Sequence, residues 1–409
     1  MKKVSRFLAL VMTCVLALSV MSGFTASASQ NVTVSIFINQ SWIGENMTAM
    51  GEAFEEANPG ITLDWQAIPD NDFTKILNTN IQTGETTDIV FENGNILARY
   101  FTLADYFVDL TGSEWDTPDL SMRDGMLGKD GLLYGYPNAD GLPNEGIIYN
   151  KRIFAELGLS VPTNLDEFMD CCEKIKASGQ LPVVQAGKDL WTIGMWLVHM
   201  CMNTIETDAD PDLLDKLNAM EVHWTDVPGI LKDLETILAM HEKGYFNEDM
   251  FATTDEMAKQ MFAEGEAAMC MQGDWFATFV AQNYPDFPLD EIGIFPVPNV
   301  PNAKLTSGMA SGPMVFKASP RAEEAVKFVN FYSSQDNRNL VNPLLEYPWN
   351  IEANALYGKT PELAAVLATG VGRFTEATAA MLAGDFTPEQ ALQQWDDMFI
   401  QLATEAAQK

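Results

Sequence analysis

The sequence predicts an α/β protein made of two lobes. Residues 32–91 alternate between strand and helix patterns in the order β-α-β-α-β, which is typical of parallel strands joined by right-handed crossovers. A new strand and helix pattern starts at 146, well beyond the end of the first one. Even without its first 28 residues, the 409-residue chain is longer than one hydrophobic core usually supports.

The elements of the first lobe are predicted from their hydrophobic periods. Strands are predicted at 32–38, 61–65 and 88–91, and helices at 44–57 and 73–81. In parallel sheets, ligands bind beyond the carboxyl ends of the strands. The loops at 39–42, 66–70 and 92–95 are therefore the candidate binding loops of this lobe.

The remainder of the chain reads as a strand followed by a largely helical region. A strand is predicted at 146–150, and 165–280 is mostly helical, with apolar faces at 189–203, 228–243 and 255–282. An apolar strand at 306–316 and a helix at 322–333 follow. The chain is expected to cross between lobes near 139–146, 292–298 and 334–337, and 338–409 is expected to be helical.

Five segments, taken in order, carry a family resemblance. They are 54–61 (FEEANPGI), 87–91 (TDIVF), 134–168, 265–275 (GEAAM followed by GDW) and 322–332 (AEEAVKFVNFY). In this order they resemble family 1 of the extracellular solute-binding proteins, the sugar-capturing receptors of bacterial ABC importers. The resemblance implies a type II periplasmic-binding-protein-like fold, with a ligand cleft between two lobes and a multi-segment hinge.

Domain boundaries follow from the predicted crossings. Residues 29–138 plus 293–333 are expected to form lobe 1, and 139–292 plus 334–409 lobe 2. A monomer is expected, without cofactor or bound metal.

The N-terminus predicts export. Lys2, Lys3 and Arg6 precede an apolar run at 7–20, and Ala26-Ser27-Ala28 forms a small-residue cleavage site. Residues 1–28 are therefore interpreted as a signal peptide cleaved near Ala28, which places the mature protein outside the cell or at its surface. A transmembrane helix is the other interpretation, but the run is short for a bilayer.

The cysteines predict neither a lipid anchor nor a metal site. Family members in Gram-positive bacteria are often lipoproteins, but Cys14 lacks the small residue expected before a lipid-bearing cysteine. The other four have no metal-finger spacing and are expected to be buried, with one disulfide left open. They are Cys171, Cys172, Cys201 and Cys270.

The net charge of the chain restricts the classes of partner that it can bind. The chain has 24 basic and 57 acidic residues, and removal of three basic residues with the signal peptide gives 21 − 57 = −36. A surface this acidic argues against nucleic acid, whose phosphates need Lys and Arg, and against anionic membranes.

The sequence contains no assembled catalytic motif. His199, His223 and His241 are scattered, and none lies beside a plausible nucleophile. Acidic residues are so numerous that counting leaves open a glycosidase-type carboxylate pair. A secreted carbohydrate-active enzyme is therefore kept as an alternative.

Tryptophans are the first candidates for ligand contacts, because flat aromatic faces pack well on pyranose rings. Trp275 follows Gly273-Asp274 at the start of a helix, and the resemblance implies that it stacks on a sugar ring. Trp42 lies just beyond the first strand, Trp191 opens an apolar helix, and Trp349 lies in an irregular stretch. Each of the four is weighed against a packing role in the core.

Polar candidates lie at the loops where ligands are expected. Glu92 follows the third strand, and Asp140 lies in the first interlobe crossing. Carboxylates bind vicinal hydroxyls through charge-assisted hydrogen bonds. Asn93 and Gln40 can add amide contacts, although any of these side chains can instead cap a turn.

The sequence therefore predicts a receptor that captures a neutral carbohydrate and presents it to the permease subunits of an ABC transporter. The expected carbohydrate is an oligosaccharide. A same-fold receptor for another small solute, such as a polyamine, is the second hypothesis, because acidic and aromatic residues would suit a polyamine too.

Overall fold

Two β-sheets organise the chain in the computed structural model. The structure describes residues 31–94, 97–98, 101–113, 115, 123–137, 144–273, 275–307, 311–334, 336–337 and 375–407. The strands are β1 Val32–Asn39, β2 Ile61–Ile68, β3 Ile89–Asn93, β4 Asn144–Asn150, β5 Leu181–Val184, β6 Ala267–Gly273, β7 Ile292–Phe295, β8 Thr306–Ser307 and β9 Ser311–Val315.

Helices cover both sheets. They are α1 Glu45–Ala57, α2 Asp70–Thr83, α3 Leu103–Tyr106, α4 Lys151–Glu156, α5 Leu165–Ala177, α6 Trp191–Glu206, α7 Leu213–Asn218, α8 Pro228–Glu242, α9 Asp255–Ala263, α10 Trp275–Asn283, α11 Ala322–Tyr332 and α12 Pro388–Ala407. Short 3-10 helices lie at Gln40–Trp42, Arg123–Met126, Trp224–Asp226 and Leu289–Glu291.

The first lobe is built on a sheet with the order β2-β1-β3-β9. β1 pairs in parallel with β2 and β3, whereas β9 runs antiparallel to β3. This confirms the predicted β-α-β-α-β unit. Alternate residues of β1 serve two cores: Ile36 packs with Phe54 and Phe328 on one face, and Phe37 packs with Phe73 on the other. Both faces are covered, so the functional groups are left to the strand ends.

The second lobe is built on a sheet with the order β5-β6-β4-β7, and β8 also pairs with β4. β4 runs antiparallel to β6 and β7, and β5 is parallel to β6. Every residue of β6 is buried. The expectation of a continuous helical face at 255–282 was therefore wrong, because α9, β6 and α10 divide this segment. A strand buried on both faces has no alternation that distinguishes it from a buried helix.

The second crossing between lobes also lies elsewhere than predicted. β7 bonds to β4 through the Ile147–Phe295 register, and β8 bonds to β4 through Glu145 and Thr306. The segment at 292–307 therefore belongs to the second sheet, whereas β9 belongs to the first. The predicted crossing at 292–298, and with it the predicted start of the second part of lobe 1 at 293, is therefore corrected: β9, from Ser311, is the first described element after β7 and β8 that pairs with the first sheet.

The C-terminal residues pack on the second lobe. α12 contributes Leu392, Trp395 and Phe399 to its main core, where the rings of Trp395 and Trp224 lie 4.4 Å apart between centroids. α11 instead packs against the first-lobe sheet through Phe328. The chain therefore returns to the second lobe after α11, but most of the stretch from 334 to α12 lies outside the described residues, as does the predicted signal peptide.

Cys171, Cys172, Cys201 and Cys270 are buried and unbridged, in agreement with the expectation of burial. Within the described part of the chain, each helix is either too short or too polar to span a bilayer.

Candidate functional site

The carboxyl ends of β1, β2 and β3 meet at one edge of the first-lobe sheet. The 3-10 turn after β1 exposes Gln40 and leaves Trp42 half-buried against the first-lobe core. In the same turn, Ser41 donates its backbone N–H to Oδ1 of Asp70 (3.1 Å) and its hydroxyl to Oδ2 (2.5 Å). Asp70 opens α2 directly after β2. These two hydrogen bonds thus connect the first two candidate loops.

Glu92 is the buried carboxyl of this edge. It lies in β3 with only 4% of its surface exposed. Asn93 donates both its backbone N–H (2.7 Å) and its side-chain Nδ2 (3.1 Å) to Oε1 of Glu92. Burial raises the pKa of Glu92 to about 7, and the charge of Asp70 adds to this rise, while the two bonds from Asn93 oppose it. Glu92 is therefore poised to change its charge near neutral pH.

Two tryptophans face each other in the second lobe. Trp191 begins α6 and Trp275 begins α10, and their ring centroids lie 6.5 Å apart at 57°. Both are half-buried at the margin of the main second-lobe core. Nε1 of Trp191 is buried without a hydrogen-bond partner among the described residues. A buried N–H donor without a partner is costly, so a group that accepted a hydrogen bond from this indole would stabilise the arrangement.

A network of polar side chains holds the indole of Trp275 in place. Its Nε1 donates to Oε1 of Gln272 (3.0 Å), and Nε2 of Gln272 donates to Oδ1 of Asp255. Lys259 completes the chain through a 2.6 Å ion pair with Asp255. Gly273 is required beside the ring, because a Cβ there would lie 2.0 Å from an indole carbon of Trp275.

Asn71 connects the first-lobe edge to the second-lobe loop that precedes Trp191. Nδ2 of Asn71, in the first turn of α2, donates to the backbone carbonyl of Lys188 (2.9 Å). Oδ1 of Asn71 accepts from the backbone N–H of Leu190 (3.3 Å), the residue before Trp191. Burial, then the charges of Asp70 and Asp255, raises the pKa of Asp189. Asp70 therefore lies close enough to act on both Glu92 and Asp189.

The structure describes six of the predicted site residues. Gln40, Trp42, Glu92 and Asn93 lie on the first-lobe side, and Trp191 and Trp275 lie on the other. Asp140 and Trp349 lie outside the described residues.

Sequence reasoning missed Asp70, Asn71 and Asp189. Asp70 ends one of the predicted binding loops, so the strand-end rule could have selected it. Asn71 carried no such signal, because it lies inside a helix and contacts backbone atoms 117 and 119 residues away.

The site offers aromatic faces, carboxylates and amides. Among the described residues, no three His, Cys, Asp or Glu side chains are grouped so as to hold a metal ion. Stacking surfaces beside hydrogen-bonding side chains suit a polyhydroxylated ligand.

Comparison with known sequences and structures agrees with this architecture. The family described as bacterial extracellular solute-binding protein matches residues 41–339. The multiple sugar-binding protein of Streptococcus mutans is 26% identical over 75% of this chain and 72% of its own length. The melibiose/raffinose/stachyose-binding protein of Bacillus subtilis is 21% identical over 87% of this chain and 83% of its own length.

A solved structure gives the same fold. The sugar transporter protein of Bacillus licheniformis in complex with stachyose superposes with a TM-score of 0.77 at 20% identity, covering 91% of this chain and 100% of that one. The predicted two-lobed, type II periplasmic-binding-protein-like fold is thereby confirmed. The chain belongs to the bacterial extracellular solute-binding protein family.

Proposed function

We propose that the protein captures a neutral oligosaccharide in the cleft between its lobes and delivers it to an ABC importer. The observation that carries this proposal is the pair of facing indoles, Trp191 and Trp275, in the second lobe. The bonds of Asn71 connect the loop before Trp191 to the first-lobe edge that holds the buried carboxyl of Glu92. Stacking indoles fit the C–H faces of sugar rings, and a carboxylate binds hydroxyls. The names of the two sugar-binding relatives from Streptococcus and Bacillus support the same ligand class.

Each side of the cleft has a distinct task in this mechanism. Glu92 uses Oε1 for both bonds from Asn93, so its Oε2 is the atom offered to a sugar hydroxyl. Gln40 and Trp42 flank it at the end of β1. On the second lobe, the unpartnered Nε1 of Trp191 donates to a ligand oxygen. A ligand held by both sides binds the closed state better than the open one and so drives closure.

Further parts of the proposal concern the whole chain. The signal peptide at 1–28 directs export, and the mature monomer acts outside the cell or at its surface. Asp140 and Trp349 are proposed to join the ligand contacts, and the partners are the permease subunits of the importer. The segments that cross between lobes act together as the hinge.

Two other functions remain as outcomes of the test. A polyamine would use the same acidic and aromatic groups, and Asp70, Glu92 and Asp189 provide negative charge at the cleft. A carbohydrate-active enzyme would need a reacting carboxylate pair on the sugar. The membership in a family of binding proteins favours capture over catalysis.

A thermal-shift screen of the mature protein tests the ligand class. The panel contains raffinose, stachyose, their component monosaccharides, and spermidine. A saturating ligand at 100 times Kd stabilises the fold by about 2.7 kcal/mol. We expect an oligosaccharide to raise the melting temperature most. A shift with spermidine alone would favour the polyamine receptor.

Small-angle scattering tests the closure. The radius of gyration should fall when the stabilising saccharide is added, because the lobes approach each other. Closure around the ligand would be contradicted if the scattering profile did not change on binding and the bound protein still had the long distance between lobes that an open state has.

A further inference from the structure

The side chain of Asn71 bridges the lobes through two hydrogen bonds to backbone atoms. Its amide nitrogen donates to the carbonyl of Lys188 (2.9 Å), and its amide oxygen accepts from the N–H of Leu190 (3.3 Å). One amide group thus satisfies a donor and an acceptor of the same loop. Asn71 is on α2 of the first lobe, and the loop leads into α6 of the second lobe. These bonds exist only while the lobes are close together.

The first-lobe side of this contact is fixed before closure. Asn71 occupies the first turn of α2, directly after Asp70. Both oxygens of Asp70 are held by Ser41 from the neighbouring strand-end turn. Since α2 is also anchored by buried Phe73, the amide of Asn71 needs little further ordering to meet its partner.

The second-lobe side is equally well fixed. The N–H of Lys188 donates to the carbonyl of Thr253 (3.1 Å), and the N–H of Asp189 donates to the carbonyl of Ala186 (3.1 Å). A carboxylate oxygen of Asp189 accepts from the N–H of Asp255 (2.7 Å). The carbonyl and the N–H that Asn71 uses therefore lie on a braced loop, and not on a loose segment.

Electrostatics at this contact works against closure. Asp70 precedes Asn71 on one lobe, Asp189 lies between the two partner residues on the other, and their charges repel across the contact. A neutral amide that makes hydrogen bonds here offsets this repulsion without adding charge. The position therefore suits a neutral side chain that both donates and accepts, and a carboxylate would not serve it.

We propose that Asn71 is a closure latch, a residue that stabilises the closed arrangement of the lobes without contacting the ligand. The latch rests on the proposed function, since closure matters because it traps a ligand. By favouring the closed state, Asn71 raises the apparent affinity for any ligand that binds that state. It is a positioning residue, distinct from the aromatic and carboxylate groups assigned to the sugar.

Three variants separate the latch from helix effects. Asn71→Ala removes both interlobe bonds. Asn71→Asp keeps an acceptor for Leu190, loses the donor to Lys188 and adds a charge beside Asp70 and Asp189. An acid in the first turn suits a helix N-terminus, so this variant should not weaken α2. Asn80→Ala changes the same residue type later on the same helix and serves as the matched control.

Interlobe distances in the ligand-free protein give the direct readout. Spin labels are placed at exposed Glu52 and Glu235, one on each lobe, through Glu52→Cys and Glu235→Cys. The native cysteines of the described chain are buried, which favours labelling at the two introduced sites. Pulsed electron paramagnetic resonance measures the distance between the two spin labels and so gives the ratio of closed to open molecules for each variant.

We expect Asn71→Ala to lower the closed-to-open ratio about fivefold to tenfold, because two hydrogen bonds are lost. Asn71→Asp should lower it further, while Asn80→Ala should match the parent. With a ligand found by the saccharide screen, Kd should rise in the same order. If no saccharide binds, the ligand-free distances still decide on the latch alone. Identical distance distributions for Asn71→Ala and the parent, or an equal shift in Asn80→Ala, would overturn the proposal.

Discussion

The indole rings of Trp191 and Trp275 lie 6.5 Å apart, centroid to centroid, at an angle of 57°. Each ring begins a helix, and each is only half-buried, whereas Trp196, further along α6, is 1% exposed. The two rings therefore form a partly exposed aromatic corner, and the buried Trp196 provides a reference for a purely structural tryptophan.

Trp275→Ala is expected to weaken oligosaccharide binding at least tenfold, about 1.4 kcal/mol, because a stacking face is lost. Trp275→Phe should retain part of the affinity. Trp196→Ala, in contrast, should cost about 3–5 kcal/mol of folding free energy. Calorimetric titration and thermal melting of each variant measure the two effects. Full affinity in a badly destabilised Trp275→Ala protein would assign this ring to the core.

Gly273 tests the same ring without removing it. A Cβ at this position would lie 2.0 Å from Trp275, so Gly273→Ala must displace the indole. We expect an affinity loss close to that of Trp275→Ala. Gly112 has open space around its Cα, so Gly112→Ala is the matched control and should bind like the parent.

Trp191→Phe isolates one hydrogen bond. The substitution keeps an aromatic face but removes Nε1–H, which is buried without a partner among the described residues. The ligand-free protein should therefore melt no lower than the parent, while its affinity for the oligosaccharide should fall by about 0.5–1.5 kcal/mol. Titration against the same sugar provides the measurement. Unchanged affinity would show that this N–H does not serve the ligand.

Glu92 should impose a pH dependence on stability. Its folded-state pKa of about 7 lies above the ordinary value of 4.5. The folded state therefore holds its proton more tightly, and stability falls as pH rises from about 4.5 through 7. Glu92→Gln should be more stable than the parent above pH 7, by about 2–3 kcal/mol, and the two should converge near pH 4.

Denaturant titrations from pH 4 to 9 measure this difference. Burial raises the pKa of Asp233 to about 6, so a slope below that pH should persist in both proteins. Sugar affinity should increase as pH rises through 7 in the parent, because the carboxylate is the better acceptor, and should stay level in Glu92→Gln. Parallel pH profiles for parent and variant would contradict this role.

Local patterns predicted the first lobe well. β1, β2 and β3 alternate or lie between clear helix faces, and Gly84 ends α2 in the left-handed conformation (φ 75°) that a glycine adopts readily. The predicted strands put Gln40, Trp42 and Glu92 at strand ends, and the structure has them at the ends of β1 and β3. Their role in ligand binding stays a prediction. These inferences depend on short-range periodicity, which the sequence carries directly.

The second lobe was harder because its strands are buried on both faces. All seven residues of β6 are buried, so its apolar run resembled a helix core. The predicted crossing at 292–298 overlaps β7, whose pairing with β4 keeps that segment in the second sheet. The role of Asn71 could not be predicted from the sequence for a different reason, since its partners are backbone atoms that any residue provides.

Calorimetric titration of the mature protein with stachyose and raffinose tests the central claim most directly. We expect a saturable complex of one oligosaccharide per chain, and chromatography of the mixture should recover the saccharide at its original length. Absence of binding to every oligosaccharide alongside saturable binding of spermidine, or recovery of shortened saccharide, would contradict the assignment as an oligosaccharide receptor.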